Sequence, residues 1–175
     1  MITCFFIGHR EAPDSLLPEL SAEVERHIGE YGVTDFVVGG YGRFDALASK
    51  CVIDAKKRHP KVTLTLLLPY HPYDRPTPIP PGFDGTLYPL GMETVPKNAA
   101  ILRANRYMVD HSEYLIAYAR HPASSARDLA EYAPRSGKAR EDKDHAAYPA
   151  CSVNTLLSSI KHPSSTLTFA TSSGP

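Results

Sequence analysis

Short apolar runs alternate along the chain with segments in which apolar residues recur every three or four positions. The runs are strand-sized and rich in β-branched and aromatic residues, and this predicts strands. They span residues 2–7, 35–38, 62–68 and 114–118. Residues 62–68 are largely apolar throughout, which is typical of a strand covered on both faces of a parallel sheet.

The intervening segments predict helices, because their apolar positions fall on one side at 3.6 residues per turn. The predicted helices span residues 16–28, 44–55, 95–111 and 124–133. Asp14 or Ser15 is a candidate N-cap for the first helix, and Pro96 suits the first turn of the third. Pro134 is expected to interrupt the fourth.

This alternation predicts a three-layer α/β fold with a mainly parallel sheet of four or five strands and helices on both faces. We assign residues 1–135 to this domain and residues 136–175, charged at first and then rich in Ser, Thr and Pro, to a poorly ordered or atypical tail. A closing strand is either lost or supplied by residues 149–157.

Residues 69–96 interrupt the alternation with eight prolines. A loop this long inside a compact domain is commonly functional or disordered. Its tyrosines, histidine and charged residues favour a lid or a binding loop, and a flexible insertion is the alternative.

The composition of the chain limits the kinds of binding partner that we expect. Lys+Arg and Asp+Glu number 19 each and the net charge is zero, so we do not expect nucleic acid as a partner. No segment reaches the roughly 20 apolar residues of a membrane helix, and the first residues lack a signal-peptide pattern. A cytoplasmic protein that binds a small nucleotide-type molecule is expected, with a homodimer as an open alternative. The eight histidines are scattered, and neither a metal nor a cofactor is expected.

The candidate chemistry lies where the predicted strands end. Gly8, His9 and Arg10 follow the first strand, residues 39–45 the second, and residues 69–73 and 120–127 the third and fourth. Because ligands of open α/β sheets bind outside the carboxyl ends of the strands, these four loops are expected to meet at one edge.

Within residues 39–45, an apolar strand leads through a glycine cluster into a helix. Gly39, Gly40 and Gly42, with Arg43 beside them, allow close backbone approach and positive φ, and a helix N-terminus favours a phosphate. A tight turn without a ligand is the alternative. Asp45 in the first turn of the helix is either a cap or an acceptor for a ribose hydroxyl or a base, because a carboxylate repels phosphate.

Further candidates have structural alternatives as well. Arg10 suits a phosphate or carboxylate, or a surface ion pair, and His9 is a weaker candidate. Ser124 and Ser125 begin the fourth helix as N-caps or as phosphate ligands. The remaining candidates for ligand binding, in the third predicted helix, are Arg103, Asn105 and Arg106.

These residues resemble motifs of the SLOG superfamily, a Rossmann-like group that includes DNA-processing protein A and the LOG-type cytokinin phosphoribohydrolases. Gly8-His9-Arg10 is similar to its Gly-x-Arg, residues 40–48 to its glycine turn with a following acidic residue, and residues 103–106 with residues 112–116 to an Arg-Asn-Arg helix and the next strand. The resemblance covers about residues 1–133. The members of the superfamily that the chain resembles most are small bacterial or phage SLOG-domain proteins.

The resemblance implies a nucleotide site, but the chain departs from the hydrolases. The hydrolases carry the motif Pro-Gly-Gly-x-Gly-Thr-x-x-Glu. In this chain Val38 stands at the Pro position, Arg43 at the Thr position and Ala46 at the Glu position. We therefore favour a nucleotide-binding, sensor-like domain. The alternatives are an N-glycosidic nucleotide hydrolase, with Asp45 and either Arg10 or Arg106 as candidate catalytic residues, and a protein or single-stranded DNA interaction module.

Overall fold

The computed structural model describes residues 1–119, 124–139 and 152–155, with side chains for 1–119 and 124–133. The strands are β1 (Thr3–Gly8), β2 (Asp35–Val38), β3 (Thr63–Leu67), β4 (Gly85–Leu87), β5 (Tyr114–Tyr118) and β6 (Ser152–Thr155). The helices are α1 (Leu17–Gly29), α2 (Arg43–Lys56), α3 (Ala100–Asp110) and α4 (Ser125–Ala139). All strand pairs are parallel, in the order β4-β3-β2-β1-β5-β6.

The predicted three-layer α/β fold is confirmed. The sheet has six strands in the described part of the chain instead of four or five. The edge strand β4 lies inside the proline-rich segment, where three residues are too few to show a period. The other edge strand, β6, lies within the segment that was the candidate for a closing strand.

The alternation of side chains along each strand builds two separate cores. Phe6 of β1 and Phe36 of β2 pack with α1 and α2 on one face, where their rings stack at 5.7 Å. Phe5 and Val37, each one residue away, pack on the other face with buried residues of α3 and α4. A period of two therefore supplies both layers from the same strands.

Three local expectations differ from the structure. Neither Asp14 nor Ser15 caps α1, because residues 14–16 form a 3-10 turn before it and Asp14 pairs with Arg43 instead. Helix α3 begins only at Ala100, so Pro96 precedes it in a turn. Helix α4 continues through Pro134, since a proline removes one N–H donor from a helix without necessarily ending it. No helix among the described residues combines the length and apolar character needed to cross a membrane.

The end of β1 rests directly on α2. A Cβ added to Gly8 would come within 2.9 Å of the Cβ of Phe44 and would overlap its ring. That ring cannot yield easily, because it is buried and stacks on Tyr118 at 5.9 Å. The absent side chain of Gly8 is therefore what lets α2 approach the strand.

We expect Gly8→Ala to lower the free energy of unfolding by about 3 kcal/mol, because overpacking a well-filled core forces its neighbours off their minima. Chemical denaturation monitored by circular dichroism measures the change. Gly29→Ala is the matched control, since a Cβ at Gly29 in α1 meets nothing within 4 Å. It should raise stability by about 0.5–1 kcal/mol through helix propensity. Equal effects of the two substitutions would contradict this account.

Candidate functional site

A crevice of about 170 Å³ opens at the carboxyl ends of β1 and β2. It lies beside the point where the chain order reverses, because β2 lies on one side of β1 and β5 on the other. Open α/β sheets bind ligands at this switch point. The end of β1 and the turns after β1 and β2 contribute Gly8, His9, Arg10, Gly39 and Gly42 to its lining, and the helices contribute Asp45, Asn105 and Ser125.

The two turns that form the crevice touch at backbone level. The N–H of Arg43 donates to the carbonyl oxygen of Arg10 at 2.8 Å. A Cβ on Gly42 would lie 3.0 Å from the Cα of Arg10. Gly42 itself is extended, with φ −148°, so it is needed for space. The cluster uses close approach and not the positive φ that glycine also permits, since the glycines with positive φ in the described residues are Gly32, Gly82 and Gly91.

Asp45 fills the N-terminal end of α2 with its own carboxylate. Oδ2 accepts a hydrogen bond from the Tyr41 N–H at 2.9 Å, and a Cβ on Gly39 would lie 2.9 Å from the same oxygen. Burial raises the pKa of the Asp45 carboxyl, and hydrogen bonds from the N–H groups of Tyr41 and Gly42 partly oppose that rise. An anion bound in the crevice must therefore keep clear of this turn.

A second helix N-terminus borders the same crevice. Ser125 and Ala126 in the first turn of α4 line it, and the first N–H groups of a helix lack partners within the helix. Ser124 acts as the cap, because its Oγ accepts from the N–H of Arg127 at 3.3 Å. The two serines thus have different positions: Ser124 holds the helix end, and Ser125 faces the crevice.

Arg10 and His9 supply the charged and ring groups of the crevice after β1. The ring of His9 meets Tyr118 edge-on at 5.5 Å. Arg10 is exposed, lines the crevice and has no ion pair with any residue in the described ranges. Its guanidinium is a cation that an anionic ligand can reach.

The structure does not bring all predicted residues to the crevice. Arg43 makes a two-pronged pair with Asp14, with Nε at 2.9 Å from Oδ1 and Nη2 at 2.8 Å from Oδ2. The Arg106 guanidinium lies 4.1 Å from the centre of the Tyr132 ring. Arg103 is exposed. Gly40 does not line the crevice either, and a Cβ added to it would lie 3.4 Å from the Leu66 side chain.

Of the candidate residues in α3, Asn105 lines the crevice, and neither Arg103 nor Arg106 does so. Asn105 and Ile101, one turn apart, line it. Their position follows from the burial of Ala104 and Met108, which fixes the rotation of the helix. Sequence reasoning also missed Tyr41 as a lining residue; its place inside the glycine turn was the available signal.

The proline-rich segment forms part of a second, larger opening of about 550 Å³ next to α3. Its lining includes Tyr70, His71 and Tyr88, all from residues 69–96. In the sequence, the tyrosines and the histidine of this segment were the indication of such an opening.

Comparison with known proteins addresses the fold. No known protein family and no curated protein matches the chain. A solved structure of DNA processing protein A from Helicobacter pylori, described for its unique single-stranded DNA binding mode, matches with a TM-score of 0.55 at 18% identity. The fold resembles that of DNA-processing protein A. The match covers 78% of this chain, which spans 62% of the length of that one.

This match corrects one expectation and supports another in part. The fold group suggested by the sequence is supported, and membership of the SLOG superfamily stays a prediction. The expectation that nucleic acid is an unlikely partner is contradicted, because a protein of similar fold is described as binding single-stranded DNA. The error lay in using net charge, which sums over the whole surface, whereas binding depends on the few groups at the site.

The position of Asp45 predicts a pH effect on stability. Its raised pKa means that the folded protein holds this proton more tightly than the unfolded chain. Ionisation of Asp45 therefore costs stability as the pH rises from the unfolded value of about 4 through the folded pKa. Asp45→Asn removes the charge and keeps an acceptor for Tyr41. We expect the variant to gain stability relative to the wild type between pH 4 and pH 7, measured by urea denaturation.

Asp54→Asn is the control on the same helix. A hydrogen bond from Lys57 lowers the pKa of Asp54, so its contribution to stability is present at neutral pH and lost on acidification. The Asp54 variant should therefore be less stable than the wild type by a nearly constant amount between pH 4 and pH 7, and this deficit should shrink only as the pH falls below about 4. A pH-independent difference for Asp45→Asn would contradict the assignment of a desolvated carboxylate.

Proposed function

We propose that the crevice binds one nucleotide unit of single-stranded DNA. The observation that carries the proposal is the presence of Arg10, Asn105, Ser125 and Asp45 on the walls of one crevice at the switch point of the sheet. They supply a cation, an amide, a helix N-terminus and a carboxylate. These are the groups that a phosphate, a sugar and a base require.

The charges divide the crevice into two parts. The phosphate is placed between Arg10 and the first turn of α4, because a guanidinium and a helix N-terminus line the same crevice there. Asp45 repels a phosphate and accepts hydrogen bonds, so the sugar or base lies on its side. The Asn105 amide offers both a donor and an acceptor to a base edge.

The volume favours a strand over a free nucleotide. Sites that enclose small molecules usually measure about 300–1,000 Å³, and the crevice measures about 170 Å³. It holds a phosphate and part of a sugar, so the rest of the ligand must extend beyond it. A single strand does this by nature. The likeness to a protein described as binding single-stranded DNA supports the same choice.

A free nucleotide, bound or cleaved at its N-glycosidic bond, is the second candidate. It is favoured by Asp45, which lines the crevice, whereas Ala46 at the hydrolases' Glu position is exposed. Arg10 lines the crevice beside Asp45; Arg106 is not among the lining residues. Release of free base from nucleoside monophosphates, lost in Asp45→Asn, would favour this candidate over the first.

Arg10→Gln tests the phosphate position. We expect the variant to bind an oligothymidylate about tenfold more weakly, because a charge-assisted hydrogen bond contributes about 1.5 kcal/mol. The slope of log affinity against log salt should fall by about 0.7, the value for one phosphate contact on a single strand. Fluorescence anisotropy at several salt concentrations measures both quantities.

Arg58→Gln removes the same charge from the far end of α2, where Arg58 pairs with Glu25. Affinity and salt slope should stay near those of the wild type. Equal losses in the two variants would mean that general charge, and not the crevice, governs binding. No binding of oligothymidylate by the wild type at low salt would end the proposal.

A further inference from the structure

The larger opening beside α3, which we call the aromatic cleft, has the composition of a ring-binding site. Its floor contains Pro69, Met92 and Ala100, which are buried. Tyr70 and Tyr88, both half-buried, line the same opening. An apolar floor with aromatic walls and a few polar groups is the usual make-up of a site for a planar ligand.

The rings of the aromatic cleft are already held in place by neighbours. The His71 and Tyr88 rings meet edge-on at 5.1 Å, and the Arg75 guanidinium lies 5.3 Å from the centre of the Tyr70 ring. The Tyr70 hydroxyl donates to the carbonyl oxygen of Lys97 at 3.4 Å. Fixed rings lose little conformational freedom when a flat ligand stacks on them.

The aromatic cleft and the crevice share a wall. Tyr41 lines the crevice and Tyr70 lines the aromatic cleft, and their ring centres are 6.3 Å apart in an edge-to-face contact. A ligand that leaves the crevice across Tyr41 therefore meets the aromatic cleft next. Helix α3 borders both openings, with Ala100 in one and Ile101 in the other.

We infer that the aromatic cleft binds a second, unpaired base of the same strand, so that the protein holds two consecutive positions of single-stranded nucleic acid across the Tyr41–Tyr70 wall. This inference rests on the proposed function of the crevice and adds a place for the base next to the nucleotide that the crevice binds. Stacking on tyrosine tolerates any base, because every base has a π-face.

The charges around the aromatic cleft suit a base better than a phosphate. Asp74 and Glu93 line it together with Arg75 and Lys97, so the two signs balance. The carboxylates repel a phosphate, and they accept hydrogen bonds from the amino groups of bases. The phosphate contacts therefore stay in the crevice, and the aromatic cleft adds stacking.

Tyr88→Leu tests the inference, because leucine keeps apolar packing and removes the ring face. Binding of an octathymidylate should weaken about tenfold, the loss of one stacked base. Binding of 2-deoxyribose 5-phosphate, which fits the crevice and has no base to stack, should not change. Tyr107→Leu is the matched control: Tyr107 packs on the same core, stacks on His111 at 3.9 Å and lines neither opening.

A second measurement needs no variant. A 5′-phosphorylated thymidine dinucleotide is too short to avoid either site by shifting its register, and an abasic substitution at each of its two positions should weaken binding by the wild type about tenfold. One sensitive position or none would overturn the inference.

The outcomes separate this inference from the proposed function. Oligonucleotide binding that depends on Arg10 and is unchanged by Tyr88→Leu would overturn the second base site and leave the crevice proposal standing. Equal weakening by Tyr88→Leu and Tyr107→Leu would overturn the second site as well, since it would report a change of the fold. A wild type that binds no oligonucleotide would overturn both.

Discussion

The close approach of two backbone turns is the constraint on which the site depends. The turn after β1 and the turn into α2 touch where Gly42 meets Arg10 and where Gly8 meets Phe44. One backbone hydrogen bond, from Arg43 to Arg10, joins them. The Arg43–Asp14 pair adds little to this junction, because both side chains are more than half exposed and such pairs contribute about 0–1 kcal/mol. Space for backbone, more than charge, holds the crevice in shape.

The contact between the two turns also affects Asp45. The glycine turn offers N–H groups to an anion, and the protein supplies that anion itself. A carboxylate held by its own turn organises the start of α2 and gives the crevice an acceptor. In the proposed function it also leaves the phosphate to Arg10 and to the start of α4. The same residue therefore accepts a hydrogen bond at the start of α2 and also lines the crevice, so the capping and ligand-binding roles that the sequence offered as alternatives are compatible.

The fold could be predicted where the periodicity of apolar residues was clear. Strands β2 and β5 have the predicted bounds, because a run of buried residues between polar ones leaves little choice. Strand β4 was missed, because its edge position buries little and its three residues show no alternation. Helix α4 passes Pro134, since the preference of proline for helix ends is outweighed where the rest of the helix packs on the sheet.

The sequence by itself determined that strands and helices alternate and that the loops after the strands meet at one edge, because both follow from hydrophobic period and parallel connection. It did not determine which side chains face the ligand. Arg103, Asn105 and Arg106 are one short stretch of letters, and only the burial of Ala104 rotates Asn105 into the crevice and the arginines away. The need for glycine at Gly42 likewise became clear only when the neighbouring turn was seen to lie 3.0 Å from its missing Cβ. Tertiary packing decides both points, because it fixes the rotation of α3 and the distance between the two turns. A pattern along the chain contains neither quantity.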